Sequence, residues 1–300
     1  VGRYEDADLA AAKAVAARGS SIRIRWIARE ASLANGRPDA ANVQLTQVGQ
    51  LVRNQFANYR DPKSLIVFSE YALLVGSDPK QVLDNILVPV QRSDPKMRDV
   101  YLARGNLALD KHDFDLAAKA FDEGLKQAPD DPDLNYGKAR AFASSDRKVM
   151  LAALQAALKA NPKHVPSLLL GVEHAISAED YDGALKQIDA IKAVNPWQPE
   201  AWAYAAVIAN LRNQPDTEKS ARANALKYWT NNPKVDWLIG KLLAEKYRFI
   251  LFGTYPYEEQ WRELAAILLF IALYLISAMR RFWSVRLIYI WAAGLVAIGG

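Results

Sequence analysis

Small and apolar side chains recur at three- and four-residue intervals through the first 248 positions, the spacing that lays one face of a helix against a core. Residues 98–131 show the unit most clearly. Gly105 sits where a first helix would meet its partner at close range, and Ala117 and Phe121, four apart, mark the inward face of a second helix. Gly124 follows one turn later, and Pro129 ends the unit because proline cannot continue a helix. The same register returns in Tyr181, Ala184 and Ile188 before Asn195-Pro196. It returns in Met150, Leu154 and Ala157 before Asn161-Pro162, in Leu83, Leu87 and Val90 before Asp94-Pro95, and in Ala221, Ala225 and Tyr228 before Asn232-Pro233. Pro62, Pro95, Pro129, Pro162, Pro196 and Pro233 are separated by 33, 34, 33, 34 and 37 residues. A period of about 34 residues predicts stacked helix–turn–helix units, hence an all-α array with helix breaks near each of these prolines.

On these residues the chain resembles the tetratricopeptide repeat family over about residues 1–248. That resemblance implies a right-handed superhelix of helical hairpins whose concave groove takes a protein or peptide ligand. Carrying the family register across puts Asn106, Lys138, Glu173 and Asn210 at one equivalent groove position. Phe68, Leu102, Leu134 and Leu169 fall one helical turn earlier. A polar row beside an apolar row suits an extended peptide. The charges in the row alternate in sign, unlike the all-basic clamp that some members use for a C-terminal carboxylate. At the start, Gly2-Arg3-Tyr4-Glu5-Asp6-Ala7 reads like Asp180-Tyr181-Asp182-Gly183-Ala184, the opening of a second helix. The array is thus expected to begin half-way through a hairpin, as a piece of something longer.

The pattern changes near residue 249. Residues 249–262 read as a linker, and Leu264–Met279 then carries no charged residue. With the run from Leu287 to Gly300 it predicts two transmembrane helices over residues 263–300, the second cut short. Phe252-Gly-Thr-Tyr-Pro-Tyr-Glu-Glu-Gln-Trp-Arg262, Arg280-Arg-Phe-Trp283 and Ile290-Trp-Ala-Ala-Gly294 resemble a membrane segment of polar amino-acid ABC transporter permeases. That resemblance implies a membrane contact through 263–300. Arg280, Arg281 and Arg286 would hold the intervening loop inside, so the repeat array is expected in the periplasm at a bacterial inner membrane. Two unrelated resemblances meeting inside one repeat are also what an artificial join would produce, and without the tail the expected location is cytoplasmic.

The remaining composition narrows the function. With no cysteine, thiol catalysis, disulfides and cysteine-ligated metals are excluded. A net charge of +5 is spread as interleaved Lys, Arg, Asp and Glu, the mark of a solvated helical surface. A nucleic-acid partner would want a one-sided basic stripe, so none is expected. His112, His164 and His174 form no zinc-binding His-Glu-x-x-His, and neither a phosphate-binding Gly-rich loop nor a nucleophile elbow is present. The sequence therefore predicts a protein–protein interaction scaffold, with no enzyme activity and no cofactor. The alternative is a permease fragment joined to a repeat domain.

Overall fold

A computed structural model describes residues 4–228 and 234–240. Its helices are α1 (Tyr4–Ala17), α2 (Ile22–Ala34), α3 (Pro38–Gln55), α4 (Pro62–Leu74), α5 (Pro79–Val82), α6 (Val88–Ser93) and α7 (Arg98–Asp110). They continue as α8 (Phe114–Gln127), α9 (Pro132–Phe142), α10 (Arg147–Ala160), α11 (Val165–Ser177), α12 (Tyr181–Val194), α13 (Pro199–Leu211) and α14 (Pro215–Lys227). Residues 234–240 are also helical. No strand occurs among the described residues.

Local chemistry explains where the helices start and turn. Asp61, Asp78 and Asp131 each accept a hydrogen bond from the backbone N–H three residues on, and each is followed by proline at the first helical position. Five hairpin turns place one residue in the left-handed region: Gly36, Gly76, His112, Glu179 and Asn213. At three of these the chain uses a residue with a Cβ, so the turn geometry is set by the packing of the two helices rather than by glycine. Pro89 lies within the second helix of its hairpin. The π-helical segment Leu83–Leu87 joins α5 to α6 just before it, where proline removes a donor and crowds the preceding turn.

The hairpins are α2/α3, α4/α5–α6, α7/α8, α9/α10, α11/α12 and α13/α14, and α1 packs on α2 as a lone second helix. First helices lie beside one another: α2 on α4, α4 on α7, α7 on α9, α11 on α13. One core cluster runs from Ile66 to Ala141 and includes Phe121, whose side chain is fully buried. Gly105 and Gly137 flank the Phe121 ring so closely that a methyl group on either would overlap it. The expectation for Gly105, Ala117 and Phe121 is met, since all three are buried. One further contact spans 161 residues: Asn195 Nδ2 donates to the Ala34 carbonyl at 3.0 Å, closing the C-terminal end of α2. Beside it Trp197 packs on Gly36.

Helix breaks fall at Pro95, Pro129, Pro162 and Pro196, in the turns between hairpins, and just before Pro62, which opens α4, as the spacing predicts. Pro233 and the linker at 249–262 lie outside the described residues. The fold class of a repeat array followed by a transmembrane hairpin does not hold: among the described residues no helix is long and apolar enough to cross a membrane. The stretch 263–300 that carried the membrane reading lies outside the described residues. The inner-membrane localisation, which rested on that hairpin alone, falls with it.

Candidate functional site

First helices begin at Ile22, Pro62, Arg98, Pro132, Val165 and Pro199. Counting from these starts aligns them by geometry. The eighth residues of five of them are Ser69, Gly105, Ala139, Val172 and Ala206, all buried against the hairpin partner. The next position, the ninth, turns away from the core. It carries Glu30, Glu70, Asn106, Arg140 and Glu173, and Val207 in α13, none of them buried. The fifth position, one turn earlier on the same side, adds Trp26, Leu102, Tyr136 and Leu169, all half-buried, whereas Ile66 of α4 and Ala203 of α13 at the same position are buried.

These residues sense one another across hairpins. Burial pushes the Glu70 carboxyl up to about 7, and the negative charges of Glu30 and Asp99 add to the rise. Arg29 and a hydrogen bond from Trp26 oppose it. Thus residues of α2, α4 and α7 converge on one carboxyl group. A second group forms on α9, α11 and α13. Burial raises the Tyr136 phenol, with Arg140, Glu173 and Glu200 as its charged neighbours, and the Arg140 guanidinium lies 5.8 Å from the Tyr136 ring centre. The Tyr204 hydroxyl donates to the Glu173 carboxylate, and burial drives that phenol far above its ordinary value. Lys234 Nζ lies 2.9 Å from Glu173 Oε1.

Of the residues singled out from sequence, Asn106 and Glu173 occupy the ninth position, and Leu102 and Leu169 the fifth. The others fall elsewhere. Lys138 is a seventh residue, and its Nζ pairs with Asp122 Oδ1 of α8 at 2.8 Å. Phe68 is a seventh residue whose ring lies 4.7 Å from that of Phe56. Leu134 is a third residue and fully buried against Gly124. Asn210 is a twelfth residue, half-buried in the last turn of α13. The slip at Lys138 and Leu134 has a physical cause. Gly105 and Gly137 both flank Phe121, one from its own hairpin and one from the next, and matching them to each other displaces α9 by two positions. Sequence reasoning missed Arg140 and Tyr136 for that reason. Trp26 and Glu70 were missed because the starts of α2, α4 and α7 are 40 and 36 residues apart, outside the period of the later hairpins.

A polar seam joins the starts of α7, α9 and α11. Arg98 donates to Asp131 through Nε at 2.7 Å and Nη2 at 3.1 Å, and it also pairs with Asp133. His164 Nε2 lies 3.0 Å from Asp133 Oδ1, and its Nδ1 lies 2.7 Å from Ser167 Oγ. The carboxylate can only accept, so Nε2 carries the proton. The hydrogen bond from His164 is the main reason the Asp133 carboxyl is held below its ordinary value, helped by the Arg98 charge. The order Asp–His–Ser is that of a hydrolytic triad, but the Ser167 side chain is fully buried inside the helix stack and no substrate can reach it. Among the described residues no group of three or more His, Asp or Glu side chains could hold a metal ion.

No protein-family model matches the chain, and no curated protein sequence matches it. The fold is similar to that of solved helical-repeat proteins. TTC0263, a tetratricopeptide repeat protein of Thermus thermophilus, superposes with a TM-score of 0.52 at 14% identity, over 61% of this chain and 100% of that one. A tetratricopeptide repeat protein of Parabacteroides merdae gives 0.51 at 13% identity, over 75% of this chain and 87% of that one. PilW, a type IV pilus biogenesis factor, gives 0.50 at 18% identity, over 71% and 99%. The array is therefore tetratricopeptide-like in fold. The permease resemblance of the tail gains no support from the family models.

Proposed function

We propose that the array is an interaction scaffold that binds an extended peptide or protein segment along the first-helix wall. The observation that carries this reading is the row built by the fifth and ninth residues. Trp26, Leu102, Tyr136 and Leu169 offer apolar and aromatic contact beside Glu30, Glu70, Asn106, Arg140 and Glu173, on helices that lie in succession. Stacked repeats present such a wall as a continuous binding surface, and side-chain amides and charges along it can bond an extended backbone. The site candidates Asn106, Glu173, Leu102 and Leu169 remain in this proposal, and Arg140, Tyr136, Trp26 and Glu70 join them.

Glu30 pairs with Arg29, Asp99 with Arg98 and Glu173 with Lys234, so Glu70 is the carboxyl that would meet a lysine or arginine of the partner segment. Such a cation favours ionised Glu70. Binding then releases a proton from Glu70 and tightens as the pH rises through about 7. The test is selection of peptides from a random library on the full chain, followed by calorimetry. Tyr136→Ala and Glu70→Gln should each weaken the selected peptide about tenfold or more. Lys138→Ala, whose side chain is turned to Asp122, should leave Kd unchanged. Equal losses in all three variants, or a preference for acidic peptides, would overturn the reading.

A further inference from the structure

The seventh residue of a first helix faces the preceding hairpin, and in three successive hairpins a large side chain fills that space. Phe68 lies against Phe56 in the turn after α3, the two rings tilted by 53°. Arg104 reaches Gln91 of α6 and Glu123 of α8. Lys138 pairs with Asp122 of α8. In α11 the seventh residue is Gly171, which has no side chain to reach α10, although Leu170 and His174 on either side of it do. A cavity of about 300 Å³ stands there, between α10, α11 and the start of α12. Leu151, Leu154 and Leu158 of α10 and Leu168 and Ala175 of α11 form its body.

The space is a cleft open to solvent on one side, and its leucines lack partner atoms there unless something occupies it. The volume is at the lower end for small-molecule sites, and dry apolar cavities take ring-sized molecules. The polar groups are few: Gln155 and His174 line the cleft, and the Gln187 carboxamide lies over Gly171. Arg147 Nη2 lies 3.2 Å from His174 Nε2; a guanidinium can only donate, so Nε2 accepts and the ring proton is on Nδ1. Burial and the Arg147 charge lower the His174 pKa, so the imidazole stays neutral. Asp180 at the edge is engaged as the N-cap of α12, accepting from Gly183 N.

We propose that this cavity is a binding site for a neutral, ring-sized apolar molecule that bears one hydrogen-bonding group. The leucines take the ring, and a side-chain amide or the His174 imidazole takes the polar group. The site lies on the second-helix side of α11, so it is distinct from the peptide wall and stands whether or not that wall binds peptide.

The test uses the full chain with indole and cyclohexanol as probes, followed by NMR titration and by the shift in melting temperature. At least one probe should bind saturably and raise the melting temperature. Gly171→Lys, which places at this position the side chain that α9 carries, should weaken that binding about tenfold or more. Ala178→Phe, at the exposed edge of the cavity, should do the same without touching the interior, and it decides the question if Gly171→Lys fails to fold. Saturable binding to neither probe would overturn the proposal. So would binding that Ala178→Phe, or a folded Gly171→Lys, leaves unchanged.

Discussion

The junction of α7/α8 with α9 and the junction of α9/α10 with α11/α12 are built from the same helix order, yet one is filled and the other is hollow. In the first, Phe121 is inserted between Gly105 and Gly137, and Lys138 bridges to Asp122. In the second, an open cleft of about 300 Å³ runs beside Gly171 and Gln187, and a polar tie between α9 and α11 runs from Asp133 through His164 to Ser167. Repeat stability is a sum of hairpin terms and nearest-neighbour interface terms. The two junctions should therefore respond differently to the same kind of change.

Emptying the filled junction should have the largest effect. Phe121→Ala removes a fully buried ring and should cost about 3–5 kcal/mol in urea unfolding. A loss below about 1 kcal/mol would mean that the ring is not part of the core. Overfilling comes next: Gly137→Ala drives a methyl group into the Phe121 ring and should cost about 1–3 kcal/mol. The hollow junction should fail first in acid. Its Asp133 carboxyl is held below the ordinary value of 3.8, so the stability it contributes is complete above that pH and is lost as the pH falls through the lower, folded-state value. Hydrogen exchange followed down from about pH 5 should show residues 132–135 and 164–168 losing protection before α7 and α8 do. Asp133→Asn should remove that difference. The smallest effect is of opposite sign. Gly171→Ala should stabilise by up to about 1 kcal/mol, because the nearest group it meets is the flexible end of Gln187, which can shift, and alanine is the better helix former. Destabilisation by Gly171→Ala as large as that by Gly137→Ala would show the two junctions to be equally tight.

The fold of the array was legible from residue types, because prolines and small residues punctuate it at a nearly constant interval. The buried set around Phe121 followed from the same spacing. The groove register was only half legible. Asn106 and Leu102 follow from Gly105, but Gly137 imitates Gly105 while serving the neighbouring hairpin, and Lys138 and Leu134 were displaced with it. Nothing local in the sequence points to the contact of Asn195 with Ala34, since its partners are 161 residues apart. The seam through Arg98, Asp131, Asp133 and His164 was hidden because its members look like ordinary capping and turn residues. The two apolar runs after residue 263 read as membrane helices on composition alone, and no described helix bears that out.

The central claim is the register of the binding wall, and site-specific photo-cross-linking reads it directly. Benzoylphenylalanine would be placed singly at positions 136, 138 and 140 of the full chain, and each variant exposed to the library-selected peptide. Cross-links from 136 and 140, with none from 138, are the predicted result. A cross-link from 138 with none from 136 or 140 would contradict the register and the wall built on it.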